Sequence, residues 1–258
     1  MSEHAGYLLV FVAHPDDESF GCGSVIAEAV ARGCRVAVCT ASLGEEGEVR
    51  SGFDLGDRAL AEVRHDELRA AAAVLGADTL APLGLRDSGW DGPAASDSIC
   101  ATDLEELTGR LQAVLTEHQP DAVLTIAGDD GHRDHRRLCE AVDVAFSRWR
   151  QPSGVLYHWC LPNSLMRRWA EAMTRLRPET AHLALEVAAL GTRPEQITTT
   201  VDVTRYLAPR RRAIAAHASQ VSPYEGLSDE LATAFLSTDH LIRLDTVPAM
   251  RQLSESPA

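Results

Sequence analysis

A histidine and three carboxylates fall within five residues near the start of the chain, in His14-Pro15-Asp16-Asp17-Glu18. Carboxylates this close repel one another unless something positive lies among them, and a helix cap needs only one Asp. A divalent cation is the natural compensator. His14 and Asp17 can reach one ion while Asp16 stays off it and handles protons. The plain alternative is a polar turn with an aspartate at a helix start. A second group, Gly128-Asp129-Asp130-Gly131-His132-Arg133-Asp134-His135, pairs two histidines about Asp134. His135, near the start of a following helix, is the expected third ligand. His132 is then free, with Asp134 available to orient or charge it. Three His/Asp ligands with an open position is the arrangement of a catalytic zinc. The same donors admit iron, cobalt or manganese.

Both groups stand at the ends of apolar runs. Residues 7–13 have the length and composition of a buried strand, and Pro15, lacking an N–H, ends it. Glycines and an apolar stretch at helical spacing, residues 25–31, follow. Residues 121–127 form the clearest later strand, with a helix expected after it to about Trp149. Between them, residues 34–41 and 79–83 read as strands and 57–75 and 103–117 as amphipathic helices. Gly76 is the expected stop of the first of these helices. Residues 84–101 form a long polar loop. Further on, 155–160, 198–203 and 241–244 read as strands and 163–177 and 206–218 as helices. This alternation predicts an α/β fold: a Rossmann-like, doubly wound, mostly parallel sheet flanked by helices. A single domain over 1–258 is expected, with 1–160 as its core and 161–258 completing the fold and pocket. In such a sheet ligands bind at the carboxyl ends of the strands, where both polar groups fall.

Composition narrows the function classes. The 258 residues carry 24 Lys and Arg against 38 Asp and Glu, a formal net charge of −14, which argues against a nucleic-acid partner. No apolar run reaches the ~18 residues of a membrane span, and no secretory leader is visible at the start. Six cysteines lie scattered without a Cys-x-x-Cys pair, which argues against a thiolate zinc site and suits a reducing cytoplasm. Gly21-Cys22-Gly23 lacks the third glycine of a dinucleotide fingerprint and sits beside acids that would repel a pyrophosphate. Neither a phosphate loop nor a nucleophile elbow is present. The isolated histidines His4, His65, His118, His158, His182 and His240 read as surface or core residues.

The residues resemble the LmbE/PIG-L family of zinc-dependent N-deacetylases. The resemblance rests on Ala13–Glu18 and His132–His135. It also rests on Gly44-Glu45-Glu46-Gly47-Glu48, Arg64-x-x-Glu67-Leu68, Arg86-Asp87-Ser88-Gly89 and His217-Ala218-Ser219-Gln220, in the family's order. It implies zinc on His14, Asp17 and His135, with Asp16 as general base. It implies that His132, backed by Asp134, stabilises the oxyanion and protonates the leaving amine. Glu48, Arg64 and Asp87 would line the sugar pocket. The alternative for Arg64 is a helix-surface pair with Glu67; that for His217–Gln220 is a helix end. Two positions depart from the pattern: Arg133 replaces a frequent proline, and Asp130 stands where mycothiol-type enzymes carry an aromatic residue. The implied activity removes acetyl from an N-acetylglucosamine-containing small molecule. Rivals are an amidase on a thiol conjugate, a natural-product tailoring deacetylase, and a metal-containing binding protein. Oligomeric state is left open.

Overall fold

The protein was analysed as a computed structural model, which describes residues 6–149 and 154–244. His4 lies outside them. Seven strands form one sheet in the order β3-β2-β1-β4-β5-β7-β6. The strands are β1 (Tyr7–Val12), β2 (Arg35–Thr40), β3 (Asp78–Thr79), β4 (Ala122–Ile126), β5 (Val155–Cys160), β6 (Thr199–Asp202) and β7 (Thr238–Leu244). The pairs from β3 to β5 are parallel, and β7 runs antiparallel to both β5 and β6. The mostly parallel, doubly wound sheet expected from the alternation is therefore the observed one.

β1 shows why the order matters. Leu9 and Phe11 enter one core, while Leu8, Val10 and Val12 enter the other. A strand buried on both faces needs apolar residues at every position, which is the pattern of residues 7–13. The helices α4 (Leu104–His118) and α5 (Arg133–Trp149) cover the first face through Leu107, Leu111, Leu115 and Val142. On the second lie α2 (Gly23–Ala31), α3 (Leu60–Leu75) and α7 (Leu207–Ala216), through Ile26, Leu68 and Ala213; a four-residue helix, α1 (Asp17–Phe20), precedes α2. The chain winds from β1 to β3 on one side, then returns to place β4 beside β1. The crevice at that reversal is where the two polar groups emerge.

The last third adds β6 and β7 to the same sheet and builds a smaller core of its own. In it α6 (Asn163–Leu176) and α8 (Asp229–Leu236) pack through Met166, Trp169, Met173 and Phe235. The α8 helix was not expected from the sequence; Ser228 caps it by accepting from the Leu231 amide at 3.2 Å. The third strand is only two residues long, because Leu80 and Leu83 bond β2 carbonyls without continuing the ladder. No described helix is long and apolar enough to cross a membrane. All six cysteines are free.

His158, expected to be an isolated residue, is buried against Asp143 (2.7 Å). Burial opposes its charge, but the Asp143 hydrogen bond outweighs that and holds the imidazole up at about 10. A pKa raised on folding stabilises the protein below about pH 6.5, the unfolded value, and that contribution fades as pH rises toward about 10. Urea unfolding of His158→Gln should therefore show a flatter loss of stability over that range than the parent protein.

Candidate metal centre and active site

The tip of β1 carries the first group into a strained turn. Asp16 has φ of 110°, a left-handed conformation rare for a residue with a side chain. A buried scaffold holds it there. The Asp16 amide donates to Glu18 Oε2 (2.9 Å), and Glu18 Oε1 lies 2.7 Å from His217 Nε2, both side chains fully buried. Ser219 donates through its amide and its hydroxyl to Glu67, each at 2.7 Å. The His217–Gln220 segment is thus the support of the first turn and does more than end a helix.

Arg64 closes the other side. Its guanidinium donates to Gly44 O (2.9 Å) and Pro15 O (2.5 Å) and lies 3.1 Å from Asp16 Oδ2. It makes no helix-surface pair, since Glu67 is taken by Ser219. A Cβ at Gly44 or Gly47 would lie 2.2 or 2.3 Å from Arg64 Nη1, so the two glycines of the acidic loop make room for this cation. Burial pushes Asp16 up to about 6, the Arg64 charge restraining the rise.

The histidines converge from two strand tips. Ligand nitrogens of His14, His132 and His135 lie within 4.8 Å of one another. Asp17 sits between two of them, with Oδ1 3.2 Å from His135 Nε2 and Oδ2 3.7 Å from His14 Nδ1. The far nitrogens are already engaged. His135 Nδ1 meets Asp130 Oδ2 at 2.5 Å, and His14 Nε2 meets Asp134 at 3.1 Å and Asp87 at 3.4 Å. When an imidazole donates on one side, its lone pair remains on the other. His135 Nε2 is buried and makes no hydrogen bond although a carboxylate oxygen is beside it. Two nitrogen lone pairs facing one carboxylate is repulsive without a cation. Ligands ~2.0 Å from a tetrahedral ion stand roughly 3.3 Å apart, close to these separations. The donor set therefore fits a divalent cation.

Without a cation the same charges are absorbed by protonation. Burial opposes charge on both imidazoles, yet Asp134 and Asp87 hold His14 up at about 10, and Asp130 with Asp17 holds His135 far above its usual value. Asp17 remains low despite its burial because of His135.

The structure corrects the expected place of Asp134. Its carboxylate does not back His132. It is fully buried against His14 Nε2, the Ser88 amide (2.9 Å) and the Cys100 thiol (3.1 Å). Only the Asp134 backbone N–H reaches His132, donating to Nδ1 at 3.2 Å. That bond leaves the proton of neutral His132 on Nε2. Burial, with repulsion from His14 and His135, lowers His132 to about 3, opposite to the rise that an adjacent carboxylate would cause. The reason is helical: α5 begins at Arg133, and its first turn points the Asp134 side chain toward His14, beyond the tip of β1, and the loop at Ser88 and Cys100.

Arg133, standing where the family often has proline, is spent on backbone carbonyls. It donates to Gly89 O and Gly92 O at 2.8 Å, to Asp91 O at 3.0 Å and to Ser88 O, pinning the loop after Asp87. That loop sets the Trp90 ring 5.3 Å from His132, centroid to centroid. His14, Asp16, Asp17, Glu48, Arg64, Asp87, His132 and His135 all face one polar cavity of about 310 Å³, with Trp90 on its rim. Asp134 lies behind it. Sequence reading missed Asp130 as the partner of His135, and Trp90 and His182 as neighbours of the site. A signal for Asp130 existed: an acid five residues before a histidine, across the turn that opens a helix.

The sequence pattern of the PIG-L family, GlcNAc-PI de-N-acetylase, matches residues 9–146. The chain belongs to the PIG-L family. A relative from Thermobispora bispora, named 1D-myo-inositol 2-acetamido-2-deoxy-alpha-D-glucopyranoside deacetylase, is 35% identical to this PIG-L chain, covering 83% of it and 78% of the relative. A protein of the same name from Mycolicibacterium vanbaalenii is 37% identical over 83% of this chain and 81% of its own. Among solved structures, N,N'-diacetylchitobiose deacetylase from Pyrococcus horikoshii superposes with a TM-score of 0.59 at 19% identity, covering 93% of this chain and 84% of that one. The 4-carboxy-2-hydroxymuconate hydratase from Pseudomonas putida superposes at 0.57 and 18% identity, covering 98% and 100%. These two likenesses show the fold alone, and the hydratase illustrates that this PIG-L fold does not by itself fix a reaction. With relatives this similar over most of its length, this PIG-L chain is an amide hydrolase.

Proposed function

We propose that the protein is a zinc-dependent N-deacetylase acting on an N-acetylglucosamine-containing small molecule, with His14, Asp17 and His135 as the metal ligands. The observation that carries this is the buried, unbonded Nε2 of His135 beside the Asp17 carboxylate. A divalent cation held there polarises a carbonyl and lowers the pKa of a water. Two imidazoles and one carboxylate suit zinc, and iron, cobalt or manganese are accepted by the same donors.

The chain's own groups supply the rest. Asp16, next to the ligands and held by Arg64, takes the proton of the attacking water as oxygen adds to the acyl carbon. Uncharged His132 donates its Nε2 proton in a hydrogen bond to the carbonyl oxygen as charge grows there. The Asp134 amide, which donates to Nδ1, is what keeps that proton on Nε2. The proton collected by Asp16 is the one delivered to the departing amine. Glu48, Arg64 and Asp87 line the cavity as expected of a sugar site, but Asp87 and Arg64 also have structural partners, His14 and Asp16. Six free cysteines suit a reducing compartment, which supports placing the reaction in the cytoplasm. The intact Asp16 and His132 speak against a protein that only binds, because binding needs neither.

Metal analysis of the purified protein, with acetate release from N-acetylglucosamine and its inositol conjugate, tests this. One equivalent of metal and metal-dependent acetate release are expected; metal-independent release, or none from either sugar, would remove the proposal. Asp130 orients His135 through the 2.5 Å contact. Losing such an outer partner typically costs ~10–100-fold in metal affinity. Asp130→Asn should lower zinc affinity by about that factor in a chelator competition.

A further inference from the structure

The polar cavity is lined almost wholly by charged and imidazole groups, and Trp90 alone among its described lining residues offers a broad apolar face. A ring of that size is usually placed by a core. This one is carried on a loop, and the loop is held by Arg133.

Residues 88–92 curl around the Arg133 guanidinium, which accepts no partner but backbone oxygen: it donates to the carbonyls of Ser88, Gly89, Asp91 and Gly92. The one carbonyl passed over in that run is that of Trp90, at its middle. The curl needs left-handed backbone at Gly89 and Gly92, with φ of 68° and 73°. At its root the Ser88 amide donates to Asp134 (2.9 Å) and the Gly89 amide to Asp87 Oδ1 (2.8 Å). The indole is braced separately. It packs on His182 at 4.2 Å between centroids, and His182 in turn meets Trp169 of the smaller core at 5.2 Å. The same indole stands edge to face with His132. A loop clamped at its carbonyls and a ring braced on a core are ordered before any ligand arrives, so binding loses little further freedom. A proline at residue 133 could make none of these side-chain bonds.

A pyranose with equatorial substituents carries its hydroxyls around the rim and C–H groups on its two faces. The rim suits Glu48, Arg64 and Asp87, whereas a face needs an apolar partner. With the acetyl carbon where Asp16, His132 and the metal ligands converge, the sugar fills the rest of the cavity, which Trp90 bounds. We propose that the Trp90 indole is the wall on which the C–H face of the sugar stacks, and that Arg133 is the positioning residue that presents it. This rests on the reading of the site as an N-deacetylase of amino sugars, and it adds a determinant of substrate affinity that takes no part in the bond-breaking step.

With metal-loaded protein and N-acetylglucosamine or its inositol conjugate, Trp90→Ala should raise KM about tenfold to thirtyfold, the factor that ~60–80 Å² of apolar contact carries, and change kcat less than about threefold. Trp90→Phe should recover most of that loss. Arg133→Met keeps the aliphatic stem and gives up the carbonyls; it should raise KM about threefold to tenfold with kcat again nearly held, and Arg133→Lys should fall between it and the parent. Because both residues act through one ring, the double variant should show a KM within about twofold of Trp90→Ala alone. A second readout needs no turnover. Glucosamine, the product, titrated into metal-loaded protein should change tryptophan fluorescence, and most of that change should be lost in Trp90→Phe.

A KM for Trp90→Ala within about twofold of the parent, or a kcat that falls as far as KM rises, overturns the wall. KM effects that multiply in the double variant overturn the role of Arg133. Acetate released from neither sugar by the metal-loaded parent removes the deacetylase reading, and the wall with it.

Discussion

Asp16→Asn is expected to keep its metal and lose turnover by on the order of 10²–10⁴. The carboxylate stands beside the proposed ligands, 3.1 Å from Arg64, with burial holding its pKa up at about 6. That is where a base for neutral-pH chemistry belongs: ionised enough to accept a proton, basic enough to take one. Asn is the informative replacement because it preserves shape and tolerates the backbone φ of 110°, where Ala would add strain. The sign of the pH effect follows. Protonated Asp16 cannot act as base, so kcat/KM should fall as pH drops through about 6, and the variant should lack that limb. Near-parent rates in the variant, or an unchanged acid limb, would exclude Asp16 as the base. Loss of metal in step with activity would make it a ligand instead.

His135→Ala is expected to lose its metal outright. The imidazole is fixed by Asp130 on one side and offers an unbonded nitrogen on the other. Its removal deletes a ligand, so the loss should exceed the ~10–100-fold typical of an outer partner. After dialysis against a weak chelator, elemental analysis should find little metal in the variant and a full equivalent in the parent. Circular dichroism serves as the control for folding. Full occupancy in the folded variant would show that His14, Asp17 and His132 form the ligand set without it. The contrast with Asp130→Asn matters: the outer change should weaken binding, while the inner one abolishes it.

Much of the fold was legible because it rests on local signals. Residues 7–13 are apolar at every position, which suits a strand covered on both faces. Pro15 and the glycines that follow mark where it stops. The same reasoning located β4 and the second group at its tip. Helix α8 and the shortness of β3 were not legible. The first is set by packing of Phe235 against Trp169 and Met166; the second by how far a loop follows β2 before leaving it.

The sequence by itself determined the inventory: a histidine and acids at one strand end, two histidines about an acid at another, and a parallel sheet able to bring those ends together. Spacing along a chain is one-dimensional, however, and partner choice is not. Only the tertiary structure decided that Asp134 backs His14 and not His132, that Asp130 holds His135, and that Arg133 is consumed by the carbonyls of residues 88–92. A side chain at the first turn of a helix can face either strand beside it. The helix axis, fixed by the packing of α5 on the sheet, selects which. The smaller core of the last third has the same origin, since Met166 and Trp169 from α6 and Phe235 from α8 meet only in the folded chain.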